Sequence, residues 1–210
     1  KYDSIHGVLP YDCGFDEDSI IVNGKSYLFF HEKEIKNLPW NQHAIDIVIE
    51  CTGKYKTFEE LNTHVLVGAK KVILSAPSED DAIKTVVLGV NDEILDGSEI
   101  IISNASCTTN NAAPMLKVID ELCGIEQAYI TTVHSYTTDQ SLHDQPHKDL
   151  RRARGASQSI VPTTTGAAKA LTKIFPEMEG KIGGSGIRVP VPDGSLTDIT
   201  CYVKKEVSIE

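Results

Sequence analysis

Short apolar runs alternate with polar turns through the first half of the chain. Residues 20–32 carry Asn23-Gly24 between two apolar runs, which predicts a β-hairpin. Apolar residues recur at helical spacing from Phe58 to Leu66, so residues 57–69 are predicted to form a helix. Strands are predicted at residues 46–50, 71–75, 85–90 and 99–103. Strands that alternate with a helix favour an α/β fold with an at least partly parallel sheet.

The pattern changes near Ser106, where we place a boundary between two domains, residues 1–106 and residues 107–210. A long helix is predicted from residue 107 to Cys123, closed by Gly124. A strand at 129–134 and a helix at 167–171 follow, and residues 185–205 alternate as antiparallel strands do. The apolar face of the long helix is predicted to hold Ala112, Met115, Leu116, Ile119 and Leu122.

Composition narrows the class of protein. The formal net charge is -10, whereas a nucleic-acid binder usually has a basic balance, so no nucleic-acid partner is predicted. No apolar run approaches the ~20 residues that span a bilayer, and the first residues lack the pattern of a secretory signal. We therefore expect a cytoplasmic protein without membrane contact.

Basic residues are concentrated in one stretch of this acidic chain. Lys148, Arg151, Arg152 and Arg154 lie within seven residues. Such a local cationic patch indicates a small anionic ligand or a partner surface, and a solvated loop is an equal alternative.

Cys107 differs from the other cysteines in its setting. The chain has five cysteines with long spacings and no CxxC pair, so neither a metal site nor a redox pair is predicted. Cys107 follows a predicted strand and begins the long helix, with Ser106 as the N-cap residue. Free amides and the helix dipole at that position stabilise a thiolate and can bind an oxyanion. The alternative is a structural cysteine in a capped helix.

A candidate base and candidate anion sites follow in the sequence. His134 ends a predicted strand, where it can face the start of the long helix, although a lone histidine is more often structural. Residues 163–166 form a hydroxyl-rich approach to a helix N-terminus, which suits a phosphate. Arg188 interrupts an apolar strand and needs either an anionic ligand or a structural salt bridge. Together these features indicate a covalent thiol enzyme that acts on phosphorylated substrates.

Residues 105–110, Ala-Ser-Cys-Thr-Thr-Asn, resemble the active-site signature of the glyceraldehyde-3-phosphate dehydrogenase family. The resemblance covers essentially the whole chain and is of the bacterial type at residues 134–137 and 146–150. Other matching segments, in family order, are 1–7, 51–53, 75–77, 132–137, 149–154, 162–169 and 188–190.

This resemblance implies a fold and a reaction. Residues 1–106 would form part of a Rossmann-type NAD-binding domain, and residues 107–210 part of an α+β catalytic domain with a mainly antiparallel sheet. Cys107 would attack the aldehyde of glyceraldehyde 3-phosphate, and His134 would act as its base. Hydride transfer to NAD and attack by inorganic phosphate on the thioester would then give 1,3-bisphosphoglycerate in glycolysis.

The resemblance also implies roles for individual residues. Those matching the site of the attacking phosphate are Ser106, Thr108, Thr165 and Gly166. Those matching the site of the substrate phosphate are Thr137, Arg152 and Arg188, with Asp139 beside them. Ser75 and Lys33 match cofactor contacts, although the family often has an arginine in place of Lys33. The loop at 141–157 resembles the segment that lines the cofactor site and the core of a homotetramer.

The chain departs from the family pattern at both ends. It opens after the first βαβ unit and ends within the catalytic domain, so the 210-residue chain alone is expected to be a fragment that is inactive and binds NAD poorly. The residue that selects NAD over NADP falls outside it. Three alternatives stay open: erythrose-4-phosphate dehydrogenase, a non-catalytic surface-binding fragment, and a thiol hydrolase.

Overall fold

A computed structural model of the protein describes residues 1–208, so the last two residues of the expected 107–210 domain lie outside it. Residues 1–208 form two four-stranded sheets and two small antiparallel sheets, with three α-helices. The strands of the small sheets are β1 (Tyr2–Asp3), β2 (Gly7–Val8), β3 (Cys13–Phe15), β4 (Ser19–Val22) and β5 (Lys25–Leu28). Three-residue 3-10 turns lie at Ile35–Asn37, Asp92–Ile94 and Pro176–Met178.

The predicted hairpin is confirmed by the pairing of β4 with β5. Asn23 and Gly24 connect the two strands with φ angles of 49° and 75°. Two consecutive left-handed residues match the right-handed twist of the flanking strands, which is why Asn-Gly is favoured there. β3 pairs antiparallel with the other edge of β4.

A parallel sheet forms the first half of the fold. Its strands are β6 (Ile47–Glu50), β7 (Lys71–Leu74), β8 (Lys84–Thr85) and β9 (Ile101–Ser103), in the order β6-β7-β9-β8. The helix α1 (Phe58–Leu66) covers it and is capped by Thr57 and Glu60, whose side chains bond to each other's backbone amides. The core between them contains Leu61, Val72, Leu74, Ile83 and Ile101. The α/β prediction and its parallel sheet are confirmed.

The strand predicted at 85–90 is wrong beyond Thr85. The side chain of Asn91 accepts from the Val87 amide at 2.8 Å, and the Val90 amide donates to the Val87 carbonyl at 3.0 Å, which turns the chain away from the sheet. Val87 and Val90 are instead buried against the second half of the chain. An apolar run of this length does not distinguish a strand from a buried turn.

The long helix α2 (Cys107–Cys123) begins and ends at the predicted residues. The Ser106 hydroxyl accepts from the Thr109 amide, and Gly124 closes the helix with a φ of 67°. Ala112 and Leu116 are buried as predicted, but Leu122 is 68% exposed, so its assignment to the buried face is wrong. Ala113 and Cys123 are buried instead, so the buried face of α2 is rotated by one residue position from the predicted apolar face.

The second sheet is mainly antiparallel, as the family resemblance implies. Its strands are β10 (Ile125–Ser135), β11 (Val161–Thr163), β12 (Ile182–Val189) and β13 (Ser195–Val203), in the order β11-β12-β10-β13. β12 and β13 do not pair with each other, since β10 lies between them, parallel to β12 and antiparallel to β13. α2 and the helix α3 (Ala167–Ile174) share a buried apolar cluster with this sheet.

The division of the chain at residues 106 and 107 stays a prediction. Val87 and Val90 lie before that point, yet they pack in the same apolar cluster as Leu116 and Leu171. Among the described residues, no helix is long and apolar enough to cross a membrane.

Gly68 is expected to be the glycine least tolerant of a side chain. Its φ is 117°, and a methyl group there would lie 2.6 Å from Asn41 Cα, because the Asn41 amide bonds to the adjacent Val67 carbonyl. Gly68→Ala should therefore lower the free energy of unfolding by about 3 kcal/mol or more. Gly89→Ala is the matched control, since Gly89 also has a positive φ of 79° but faces open space; its loss should be about 1 kcal/mol. Urea unfolding of both variants checks this, and equal losses would contradict the clash.

Candidate active site

Cys107 is presented by a tight strand-to-helix connection. The Ser103 hydroxyl at the end of β9 donates to the Ala76 carbonyl at 2.7 Å and accepts from the Ala105 amide at 3.1 Å. Ala105 is buried and has a left-handed φ of 56°, a conformation that costs energy for a residue with a side chain. The connection places Cys107 at the first position of α2, where its side chain is exposed.

His134 lies near the end of β10 and faces Cys107. The distance from Cys107 Sγ to His134 Nε2 is 3.4 Å, within hydrogen-bond reach for sulfur. The other ring nitrogen, Nδ1, lies 2.8 Å from the Ser135 carbonyl oxygen and 2.8 Å from Arg188 Nη1. Arg188 reaches it because His134 and Arg188 are register partners on β10 and β12. The structure therefore brings the predicted nucleophile, base and one predicted anion-binding arginine together.

A cavity of about 190 Å³ opens at this point. Eight of the residues that we singled out line it: Ser106, Cys107, Thr108, His134, Arg152, Thr165, Gly166 and Arg188. Its walls come from the start of α2, the ends of β10 to β12 and the approach to α3. The two guanidinium groups and the hydroxyls can bind an anionic carbonyl compound. The thiol at their centre can then attack its carbonyl carbon.

Two family models match parts of the chain. A family model described as the glyceraldehyde 3-phosphate dehydrogenase C-terminal domain matches residues 106–210, which is half of the chain. The NAD binding domain of the same family matches residues 1–58. The chain belongs to the glyceraldehyde 3-phosphate dehydrogenase family.

Similar proteins cover the whole of this chain. It is 51% identical to glyceraldehyde-3-phosphate dehydrogenase 2 of Bacillus subtilis (strain 168), and it spans 62% of that protein. It is 48% identical to the glyceraldehyde-3-phosphate dehydrogenases of Clostridium pasteurianum and Geobacillus stearothermophilus, and it spans 63% of each.

Arg152 is held rigidly by its protein neighbours. Its Nε donates to the Thr163 hydroxyl at 2.9 Å, its Nη1 pairs with Asp139, and its Nη2 donates to the Thr164 carbonyl at 3.4 Å. The hydrogen bond from Arg152 lowers the pKa of Asp139, and a bond from His147 acts in the same direction. Asp139 thus holds Arg152 at the wall of the cavity.

Arg188 has no comparable salt bridge. Within residues 1–208, no carboxylate lies at ion-pair distance from its guanidinium group, so a structural salt bridge does not account for it. Its side chain is half-buried, and burial is the main cause that lowers its pKa, followed by the charge of Arg152. Two cations that share a cavity repel each other, and an anion between them would relieve both the repulsion and the lost solvation.

The approach to α3 adds hydroxyl and amide groups to the same cavity. The Thr165 hydroxyl accepts from the Ala167 amide at 3.2 Å, and Gly166 precedes the helix without a side-chain cap. This segment lies close to β12 because Gly184 has no side chain there: a methyl group at Gly184 would meet Thr165 Cγ2 at 3.3 Å. The uncapped first turn leaves backbone amides that suit a phosphate.

Four cavity residues belong to no predicted site: Pro77, Thr132, Ala167 and Gly186. Thr163 and Thr164 belong to the hydroxyl-rich approach predicted at residues 163–166. Thr132 is 4% exposed, and its hydroxyl has no hydrogen-bond partner within the part of the chain that the structure describes. The period of two along β10 could have indicated it, since Thr132 and His134 are on the same face of the strand. Pro77 comes from the first half of the chain, and only the tertiary structure places it here.

Three predicted residues lie away from this cavity. Thr137 is half-buried beyond the end of β10 and does not line the cavity. Ser75 is exposed after β7, where its amide donates to the Glu50 carbonyl at 3.0 Å. Lys33 is exposed and lines a second, separate cavity.

A second cavity lies beside the parallel sheet. It measures about 470 Å³ and opens beside the carboxyl end of β6, where ligands of parallel α/β sheets bind. Its walls are largely aromatic and apolar with a few polar groups, as suits a flat aromatic base; they include Phe29, Phe30, Trp40, Thr52 and Tyr55. Among the described residues, no group of three or more His, Cys, Asp or Glu side chains is placed to hold a metal ion.

Proposed function

We propose that the complete protein containing this chain is a phosphorylating glyceraldehyde-3-phosphate dehydrogenase that uses NAD. The observation that carries this proposal is the 3.4 Å approach of Cys107 Sγ to His134 Nε2, in a cavity that two guanidinium groups also line. A thiol beside a base suits covalent attack on a carbonyl, and the cationic wall suits a phosphorylated substrate. The names of the relatives support this activity rather than oxidation of erythrose 4-phosphate.

In this reaction the Cys107 thiolate attacks the aldehyde carbon of glyceraldehyde 3-phosphate, and the oxygen becomes the hydroxyl of a hemithioacetal. His134 then takes the hydroxyl proton at Nε2 while a hydride leaves the same carbon, and the loss of both leaves an acyl group in thioester linkage to Cys107. NAD supplies, when bound, the acceptor for the hydride that leaves this carbon. Inorganic phosphate attacks the thioester carbon, the thiolate leaves, and 1,3-bisphosphoglycerate is released.

Two sets of residues would bind the two phosphate groups. Ser106, Thr108, Thr165 and Gly166 would hold the attacking phosphate; all four line the cavity beside Cys107. Arg152 and Arg188 would hold the phosphate of the substrate, together with Thr137. The lack of a carboxylate partner for Arg188 within the described residues supports this role.

The test is an assay of NAD reduction with glyceraldehyde 3-phosphate and inorganic phosphate. It compares the 210-residue chain with a chimera that restores the flanking segments of the Bacillus subtilis relative. We expect turnover by the chimera, and little or none by the chain alone. Lack of turnover by a folded chimera would overturn the proposal, and a higher kcat/KM for erythrose 4-phosphate would overturn the choice of substrate.

We further propose that the complete protein is a cytoplasmic homotetramer. Large side chains on the outer face of the β10–β13 sheet support self-association: Tyr129, Leu196 and Tyr202 are 49%, 60% and 70% exposed. Light scattering of the chimera after size-exclusion chromatography measures the assembly, and a monomer would contradict it.

A further inference from the structure

Three polar groups meet at His134 Nδ1, and their hydrogen-bonding capacities restrict its protonation. Arg188 Nη1 lies 2.8 Å from Nδ1 and 2.9 Å from the Ser135 carbonyl oxygen, and that oxygen lies 2.8 Å from Nδ1. A guanidinium nitrogen only donates, a carbonyl oxygen only accepts, and a ring nitrogen does one or the other.

An Nδ1 without a proton is the favoured arrangement of these three groups. The two N–H groups of Arg188 Nη1 can donate to Nδ1 and to the Ser135 carbonyl, provided that Nδ1 carries no proton. This arrangement leaves the Nδ1 lone pair facing the neutral Ser135 carbonyl at 2.8 Å, whereas a proton on Nδ1 would face the charged Arg188 donor at 2.8 Å, which costs more. A neutral imidazole without a proton on Nδ1 carries it on Nε2. This assignment directs the Nε2–H of His134 at Cys107 Sγ.

This tautomer is unsuited to the proposed reaction. A base that accepts a proton at Nε2 must have a free lone pair there, with its own proton on Nδ1. The imidazolium that would pair with a Cys107 thiolate also needs a proton on Nδ1. Both states require Arg188 Nη1 to leave Nδ1, after which Nδ1–H can donate to the Ser135 carbonyl.

The surroundings of Arg188 indicate what would move it. The other groups that face His134 are Cys107 on α2 and the backbone of Ser195 on β13, while Arg152 and Asp139 act on Arg188 from the far side of the cavity. None of these forms a salt bridge with Arg188, as noted above. A phosphoryl group in the cavity would offer charge-assisted hydrogen bonds, which are about twice as strong as those to neutral acceptors.

We propose that Arg188 selects the tautomer of His134 and changes it when a phosphoryl group binds. In the ligand-free chain, Arg188 holds Nδ1 as an acceptor and keeps the proton on Nε2. A bound phosphoryl group draws the guanidinium off Nδ1; one proton leaves Nε2 to water and another reaches Nδ1, so the charge of the ring is unchanged. Arg188 is thus a positioning residue for the base, and this role rests on the proposed function.

The experiment is nitrogen NMR of the chain with 15N-labelled histidine, at about pH 8.5, where an ordinary imidazole is neutral. The chain has seven histidines, and the signals of His134 are assigned from their loss in His134→Asn. Titration with inorganic phosphate should move the protonated-type signal from Nε2 to Nδ1. A parallel titration with glycerol 3-phosphate distinguishes inorganic phosphate from a phosphate ester. The compound that changes the tautomer at the lower concentration is the ligand to which Arg188 responds.

Two variants separate this role from general effects on the cavity. Arg188→Met should show Nδ1–H without any ligand and no response to phosphate. Arg152→Met removes the other guanidinium of the cavity but leaves Nδ1 untouched, so its ligand-free tautomer should stay Nε2–H. The phosphate titration of the unaltered chain decides the proposal even if a variant fails to fold.

The inference is overturned if His134 keeps one tautomer throughout both titrations, or is an imidazolium before any ligand is added. Neither result depends on turnover, so a failure here is distinct from a failure of the proposed dehydrogenase. If the chimera is active but the His134 tautomer of the chain does not change, only the proposed role of Arg188 is wrong. If the chimera is inactive but the His134 tautomer changes when phosphate binds, only the proposed dehydrogenase reaction is wrong.

Discussion

Cys107→Ser is expected to lower the turnover of the chimera by about 10⁴-fold or more, the scale seen when a covalent nucleophile is removed. A serine hydroxyl is hardly ionised near neutral pH, whereas a thiol at a helix N-terminus is readily converted to a thiolate. Steady-state NAD reduction measures the loss. Cys13→Ser is the matched control, because Cys13 lies in the small β3–β5 sheet and lines neither cavity.

Alkylation gives a second measurement of the same claim. Iodoacetamide should label Cys107 faster than the other four cysteines, as peptide mass spectrometry of the labelled chain would measure. Equal labelling of Cys107 and Cys13 would overturn the role of Cys107 and favour a non-catalytic binding protein. Burial raises the pKa of Cys201, so that thiol should be among the slowest to react.

His134→Asn is expected to lower turnover by about 10²–10⁴-fold, the usual contribution of a positioned base. It should also slow the alkylation of Cys107, because asparagine cannot become a cation beside Sγ. His143→Asn is the control: His143 is an exposed loop residue that lines neither cavity.

Two outcomes of the His134 experiment are informative in opposite ways. A loss of turnover with unchanged alkylation would mean that the helix N-terminus alone activates the thiol and that His134 serves only as the base. Unchanged turnover and alkylation would contradict the catalytic role of His134, since the 3.4 Å contact with Cys107 would then have no chemical consequence.

Much of the local structure could be predicted because it depends on neighbours in sequence. The Asn23-Gly24 turn, the Ser106 cap and the Gly124 end of α2 each use side chains or backbone angles within a few residues. The predictions that failed, the strand beyond Thr85 and the burial of Leu122, concern apolar residues whose partners lie far away in the chain. Hydrophobicity alone does not say which neighbour an apolar side chain will contact.

The sequence by itself determined the element types, the positions of Cys107 and His134 at the ends of elements, and membership of the family through its motifs. Only the tertiary structure decided that β10 separates β12 from β13, and therefore that Arg188 sits against His134, 54 residues away. It also decided that Arg152 pairs with Asp139, whereas Arg188 has no carboxylate partner among the described residues. The reason is physical: strand order and register follow from the packing of the whole core, and a one-residue slip would turn Arg188 to the opposite face of the sheet.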